Sequence, residues 1–451
     1  MIFFQFIEQF IINLANTLWN GPILIAVLLG GGIILFFYSK LLPFKYIFHS
    51  LDIIKERQSF TSNFGKITFF QAISAQIGTI VGLGNISGVA VAIVTGGPGA
   101  IFWMWVTAFF GMITKFYTCS LAVLYRGKDS KGNYQGGPMY VIREGLGKKW
   151  NFLALIFCFF GLFGVSPIFQ ANQIIQITNA VLLTDLESSF LINFSLGLLL
   201  SLLVSLVIFG GIKRIGKVAS KLVPFMVLIY MITVFYILIL NYNLFFPVLK
   251  LIITDAFTAN SVLGGAVGSL ILIGARRAAF SNEAGVGTSP IIHAASNNNN
   301  PIKEGLVAMI GPFVDTIIVC TLTAFSILVS GVWDFGNVSG IQLVLLSFEK
   351  SIPYIGKYIL FSCTFIFAIT TLFGNSYFGE RCLSYLAGEN YSYYYRFFYI
   401  SLIILGSVSS LDFVLSLIDL SYGIMIFPTM ISTLILMPKI NALSRKYFEK
   451  I

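Results

Sequence analysis

The stretch Thr79-Ile80-Val81-Gly82-Leu83-Gly84-Asn85-Ile86-Ser87-Gly88 lies inside an apolar run from Phe69 to Val94 and interrupts it with glycine and polar residues. The run is long enough to cross a bilayer, yet its middle is poorly suited to an unbroken helix. In hydrocarbon, an unpartnered backbone N–H or C=O costs several kcal/mol, so unwound backbone persists at membrane depth only where protein, a cavity or a ligand satisfies it. The break is therefore a candidate binding site. A half-helix N-terminus attracts an anionic group, and freed carbonyls hold a cation. Close packing of a glycine-rich helix on a neighbour is the other reading of the same residues.

Composition places the break in a membrane protein. The chain has 451 residues, of which 57% are hydrophobic and 10% charged, against roughly 25% charged in a soluble domain. Two histidines and five cysteines (Cys119, Cys158, Cys320, Cys363, Cys382) form neither C-x-x-C nor H-E-x-x-H, so a metal site or redox framework lacks ligands at workable spacing. Residues 1–18 carry Glu8 and no basic n-region, which does not fit a cleaved signal peptide. The net charge of +10 is spread over the flanks of apolar runs, the pattern of topology signals and not of a nucleic-acid stripe.

Eleven windows meet the spanning criterion of roughly 20 mostly apolar residues: 20–38, 68–95, 98–124, 152–182, 190–211, 219–241, 261–281, 305–331, 355–377, 396–416 and 419–437. The expected fold is thus an all-α polytopic membrane protein with about 11 transmembrane helices. Alternate connections, with Arg276, Arg277 and Lys221 counted at helix ends, hold 24 of the 28 Lys and Arg. The positive-inside rule then puts the N-terminus outside and the C-terminus in the cytoplasm.

Setting aside residues 1–67 as an extra helix with a basic loop leaves ten spans, dividing into five (68–260) and five (261–437) before a tail at 438–451. The two halves run in opposite directions, and each opens on a glycine-interrupted span. In the second half the interruptions are Gly264-Gly265, Gly268-Ser269 and Gly274-Ala275-Arg276-Arg277. Paired discontinuous helices in inverted repeats point to a secondary transporter, and no channel filter or charged ring is present.

Gly82-Leu83-Gly84-Asn85 resembles the broken first core helix of the LeuT-type sodium symporter fold. Four further stretches resemble the alanine or glycine:cation symporter family: Gly84-Asn85-Ile86-Ser87-Gly88 through Gly96-Gly97-Pro98-Gly99-Ala100-Ile101-Phe102-Trp103-Met104-Trp105, Tyr134-Gln135-Gly136-Gly137-Pro138-Met139-Tyr140, Phe280-Ser281-Asn282-Glu283-Ala284-Gly285, and Phe378-Gly379-Glu380-Arg381-Cys382. They span nearly the whole chain in the family's order. The resemblance implies sodium-coupled import of a small neutral amino acid, alanine or glycine, by alternating access across the cytoplasmic membrane. It also implies Na+ as the coupling ion, with no organic cofactor and no enzymatic activity expected. Expected partners are the amino acid and membrane lipid, without nucleic acid, and the chain is expected to work as a monomer.

Carried over residue by residue, the resemblance implies that Gly78 and Val81 offer carbonyls to sodium, Thr370 and Thr371 hydroxyls, and Phe367 a carbonyl. Neutral oxygens of this kind suit a monovalent hard cation; threonines bonding back to their own helix is the alternative. The N–H groups of Leu83 and Gly84 and the Asn85 amide would take the substrate carboxylate. Gln170 and Asn172 would face the pocket, against the alternative of interhelical bonds worth roughly 0.6 kcal/mol each. Ser269 and Ile273 would line the seventh span's side of the cavity.

Four positions in three stretches depart from the family pattern: Leu83 replaces Thr in Gly-Thr-Gly-Asn, Arg276-Arg277-Ala278 replaces Lys-Arg-Gly, and Asn375 stands where a Trp follows Gly374. Asn375 is expected beside the substrate side chain.

Ionisable residues inside spans are costly and commonly functional. Asp315 is the clearest, as a proton relay or as a partner of Arg276 or Arg277 in a gate, while Lys115 and Glu283 read as nearer membrane edges. A proton-coupled amino-acid transporter of the same fold is the alternative function. A membrane enzyme or structural subunit is the remote one, since His49 and His293 belong to no catalytic motif.

Overall fold

Thr68 caps the first broken helix: its hydroxyl accepts the Gln71 N–H, and the Gln71 side-chain oxygen accepts the Thr68 N–H. This reciprocal cap satisfies two otherwise orphaned donors. The computed structural model describes residues 2–55, 67–183, 189–257, 267–334, 338 and 340–450, and these are almost entirely helical. Among them the only paired strands are Gly127–Lys128 with Tyr134–Gln135. In that hairpin partial burial acts to raise the Asp129 carboxyl, but hydrogen bonds from the Asn133 and Lys131 backbone and from the Gln135 and Asn133 side chains outweigh it and hold the group below the usual carboxylate range.

Besides short helical turns such as His49–Lys55, the helices are α1 (Ile2–Asn20), α2 (Pro22–Tyr38), α3 (Phe69–Ile80), α4 (Gly84–Gly96), α5 (Gly99–Leu124), α6 (Asn151–Gly164), α7 (Ile168–Leu182), α8 (Phe190–Ile208), α9 (Gly211–Leu240), α10 (Phe245–Asp255), α11 (Val267–Asn282), α12 (Ser289–Ala294), α13 (Pro301–Ser330), α14 (Ile341–Ser351), α15 (Gly356–Ala387), α16 (Tyr394–Val408) and α17 (Leu411–Phe448). Seven described helical segments are long and apolar enough to cross a bilayer alone, and two bent pairs raise the number to nine. The bent pairs are α1 with α2, at 57°, and α3 with α4, at 46°. Windows 261–281 and 396–416 hold the shorter α11 and α16, of 16 and 15 residues.

Burial sorts the spans into an inner and an outer set. The most apolar stretch of α5 is 83% buried and that of α13 is 72%, against 28% for α8 and 33% for α9. Spans α8 and α9 therefore turn most of their apolar surface toward lipid, and α5 and α13 form the centre with the broken helices.

Two expectations need correction. Residues 2–18, left outside the spans, belong to α1, which lies along α17: Trp19 Nε1 donates to the Asp419 carbonyl at 2.9 Å, and Ser410 bonds Glu8. The second interruption is also elsewhere. Gly268, Ser269 and Gly274 through Arg277 lie within the continuous α11, while Gly264-Gly265 lie outside the described residues. Gly274 serves close packing instead, because a Cβ there would sit 2.5 Å from Trp103 Cβ and 2.9 Å from the Ala100 carbonyl oxygen. The helix breaks after Asn282 and resumes at Ser289, with Glu283, Gly285 and Gly287 at positive φ.

Candidate functional site

The first break begins where Val81 leaves helical geometry (ψ 87°), and a π-helical turn at Gly84–Gly88 restarts the helix as α4. Asn85 holds this break together. Its Oδ1 accepts the Gly82 N–H at 2.9 Å, and its Nδ2 donates to Asp315 Oδ1 at 2.7 Å and to the Asp315 carbonyl at 2.9 Å. Asp315 Oδ2 in turn accepts from Ser281 and Thr316, both at 2.7 Å. The Asn85 amide is thus engaged within the protein, and the expectation that it takes the substrate carboxylate directly is corrected: it ties the first break to α13 and to the end of α11. Leu83 and Gly84, by contrast, line a narrow cavity at the break.

That cavity gathers several sequence-predicted residues. Its wall includes Leu83 and Gly84 from the break, Gln170 from α7, and Thr371 and Asn375 from α15. Gln170 is 7% exposed and Asn375 2%, yet the Oε1 of one and the Oδ1 of the other find no hydrogen-bond partner among the described residues. A third such acceptor, Ser166 Oγ, lines the same cavity. Sequence reasoning missed Ser166, although Gly164-Val165-Ser166-Pro167 carries the signal: proline has no N–H and disfavours helix before it, and α6 and α7 part there. Unsatisfied buried acceptors facing one space call for a ligand that donates.

Two expected pocket residues lie elsewhere. Asn172 donates to the Ser409 carbonyl at 2.7 Å, and its Oδ1 accepts from Gln173 and Gln176 at 2.8 and 3.0 Å. Its role is interhelical bonding. Ile273 lines an outer cavity with Arg276, Arg277 and Asn16, and does not reach the inner one. The Ser269 side chain lies outside the described residues.

The predicted sodium ligands converge beside the break. Thr371 Oγ1 donates to the Gly78 carbonyl at 3.2 Å and lies 3.1 Å from the Phe367 carbonyl. Thr370 Oγ1 lies 2.9 Å from the Phe367 carbonyl and 3.0 Å from that of Ile366, so both threonines also make the back-bonds foreseen as their alternative role. Val81 follows directly on the end of α3, and a Cβ on Gly82 would come within 2.3 Å of Thr371 Oγ1. The glycine is what lets the hydroxyl reach the broken end. Nearby, a Cβ on Gly374 would meet Thr79 Cγ2 at 1.8 Å, so only glycine permits α3 and α15 to approach this closely.

Arg276 and Arg277 do not pair with Asp315. Arg276 Nε is 2.8 Å from Asp419 Oδ2, and Arg277 bonds the same oxygen. Arg276 Nη1 also donates to Asn16 of α1 at 3.2 Å. Both arginines thus pack against α1 and α17, through Asn16 and Asp419. Lys115 and Glu283 pack inside the protein. Each is buried, and both stand within electrostatic reach of each other, while Lys115 also senses Asp315. Glu283 accepts from Tyr422 at 2.9 Å and from Thr288.

Residues 4–451 match the family described as the sodium:alanine symporter family. The chain is 36% identical over 432 residues to the sodium/alanine symporter AgcS of Methanococcus maripaludis, with 94% of each protein covered. It is 35% identical to the probable sodium/glutamine symporter GlnT of Bacillus subtilis, covering 96% of this chain and 89% of GlnT, and 34% identical to that organism's putative sodium/proton-dependent alanine carrier YrbD, covering 98% and 92%. Among solved structures it is similar to MhsT in complex with L-phenylalanine, with a TM-score of 0.57, 17% identity and coverage of 82% of this chain and 89% of that one.

Proposed function

This chain belongs to the sodium:alanine symporter family, a family of transporters and not of enzymes, and on that premise we propose that it imports a small neutral amino acid coupled to sodium. It does so by alternating access in the cytoplasmic membrane, as a monomer with its N-terminus outside and its C-terminus inside. One observation carries the reading: Thr371 joins the Gly78 carbonyl at the first break while lining the cavity that holds Leu83, Gly84, Gln170 and Asn375.

The Gly78, Val81 and Phe367 carbonyls and the Thr370 and Thr371 hydroxyls supply a neutral oxygen set suited to Na+. The backbone N–H groups at Leu83 and Gly84 head α4 and receive the substrate carboxylate. Gln170, Ser166 and Asn375 take its donor groups. Because Thr371 belongs to both walls, an ion bound there stiffens the cavity against which the substrate packs, which couples the two ligands. Outside the cavity, Asp419 with Arg276 and Arg277 forms the outer closure.

Asp315 favours a second reading, proton coupling on the same fold, since it is buried and, among the described residues, has no cationic group in hydrogen-bond contact. The name of YrbD, a sodium/proton-dependent carrier, supports keeping it. The names of AgcS and GlnT make alanine and glutamine the first substrates to test. Uptake of radiolabelled amino acid into proteoliposomes, with a sodium gradient at fixed pH and with a pH gradient in sodium-free buffer, separates the readings. Accumulation driven by pH alone overturns sodium coupling.

A further inference from the structure

The first three turns of α9 carry Lys213, Arg214, Lys217 and Lys221, all exposed, around an open groove with Val218 and Leu222. None of the four cations pairs with a carboxylate among the described residues. The turn before them explains why neighbouring acids do not serve. Arg396 Nη1 donates to the Phe209 carbonyl at 3.1 Å, and its Nη2 lies 3.7 Å from where a Cβ on Gly211 would be. Arg396 thereby brings Glu380 to this edge, but Glu380 is already held by Arg381 at 2.7 Å and by Arg396 at 2.8 Å. Gly210 also leaves room for Arg214, whose Cδ would lie 2.3 Å from a Cβ at that position.

Charge is half of the pattern. Arg214, Lys217 and Lys221 recur at helical spacing of three and four residues, and the same stripe continues as Phe225, Leu228 and Ile232, each more than half exposed. Residues 225–239 extend about 21 Å at 1.5 Å per residue, a large part of a hydrocarbon core about 30 Å thick. The cations therefore stand where the lipid-facing surface of α9 ends, at headgroup level. Long cationic side chains at such a boundary combine apolar stems with charged ends suited to headgroups. A soluble polyanion would use the charges and leave the adjoining apolar stripe uncovered. A lipid uses both.

We propose that this patch is a binding site for an anionic phospholipid, the phosphate headgroup held by Lys213, Arg214, Lys217 and Lys221 and an acyl chain laid along Phe225, Leu228 and Ile232. Each basic residue near an anionic surface contributes about 1 kcal/mol, or about a fivefold change in retention.

Native mass spectrometry of the full chain in detergent, with phosphatidylglycerol and phosphatidylcholine of identical chains, tests the site. The wild type is expected to retain the anionic lipid preferentially, and the K213Q/R214Q/K217Q/K221Q variant to lose at least tenfold of that preference. A variant with all three lysines changed to arginine keeps it. If the fourfold variant fails to insert, K217Q/K221Q reads the same loss at smaller size. Wild-type preference in the glutamine variants overturns the proposal. So does displacement of the lipid by millimolar inorganic phosphate, which would make the site one for a soluble anion.

Discussion

Thr371 of α15 donates its hydroxyl to the Gly78 carbonyl of α3 across 3.2 Å, fastening a continuous helix to the last full turn before the first break. The bond places a hydroxyl and a main-chain carbonyl beside each other at a helix end, and the Phe367 carbonyl lies 3.1 Å from the same hydroxyl. Removing that hydroxyl removes one ligand and leaves the carbonyls. Thr371→Ala is expected to weaken the apparent sodium affinity of uptake by about 5- to 150-fold, the equivalent of about 1–3 kcal/mol for one lost polar contact. Thr371→Ser restores most of it. Sodium titrations of uptake in proteoliposomes check both, and an unchanged sodium dependence in the alanine variant removes Thr371 from the site.

Asp419 carries two guanidinium groups, and Arg277 is nearly as buried as the carboxylate itself, with side-chain exposures of 5% and 2%. Deleting the shared partner of a buried pair leaves uncompensated charge, costing about 3–5 kcal/mol. Asp419→Asn is therefore expected to lower the unfolding temperature in detergent clearly more than Arg276→Gln, which leaves the Arg277 pair in place and removes a more exposed group. Thermal unfolding followed by thiol reactivity of the buried cysteines orders the variants. Equal destabilisation would mean that Arg276 and not Arg277 carries the closure.

Sidedness follows from alternation and is checked by chemistry. In a background lacking Cys119, Cys158, Cys320, Cys363 and Cys382, a cysteine replacing Tyr354, between α14 and α15, is expected to react with an impermeant maleimide added to whole cells. One replacing Lys131, in the hairpin after α5, is expected to react only after the membrane is opened. Tyr354 is 91% exposed and Lys131 lies in an exposed turn, so access is not limited by packing. The reverse labelling pattern overturns the outside placement of the N-terminus, and labelling of both positions from the same side sinks the inverted-repeat topology.

The all-helical architecture and the first break were legible because both depend on local chemistry: long apolar windows, and Gly82, Gly84 and Asn85 set inside one of them. The second break was misplaced in part because Gly274 looks like an interruption in one dimension, whereas its close packing against Trp103 is visible only in three. Placing both Gln170 and Asn172 in the pocket failed for a related reason. Two residues on a helix stand about 200° apart, so the polar pair Gln-x-Asn cannot put both side chains into one cavity, and only Gln170 reaches it. The partner of Arg276 and Arg277 lies 143 and 142 residues away at Asp419, a separation that leaves no trace in spacing.

Asn375 sits in the cavity wall, 2% exposed, with an Oδ1 that no described group satisfies. The family pattern puts Trp at this position, where an indole would fill the space beside a small substrate side chain. Asparagine leaves most of that volume open and adds an amide able to donate and to accept. Gln170 and Ser166 line the same cavity with unsatisfied oxygens, so a substrate side chain bearing a hydroxyl or amide meets partners that alanine does not. Serine, threonine and amide side chains are accordingly expected to compete with alanine for uptake by the wild type. In Asn375→Trp the accepted set should contract toward glycine and alanine. The size of the contraction identifies its cause: bulk alone in an apolar pocket discriminates by roughly 10- to 200-fold per methylene, while loss of a hydrogen-bonding partner acts on polar substrates specifically and more strongly. Asn375→Leu, which fills the amide's space without its polarity, separates the two. If it rejects serine and glutamine while still accepting a similar-sized apolar amino acid, the amide is read as a recognition group. Identical competition profiles for wild type and Asn375→Trp would show that the position does not contact substrate at all.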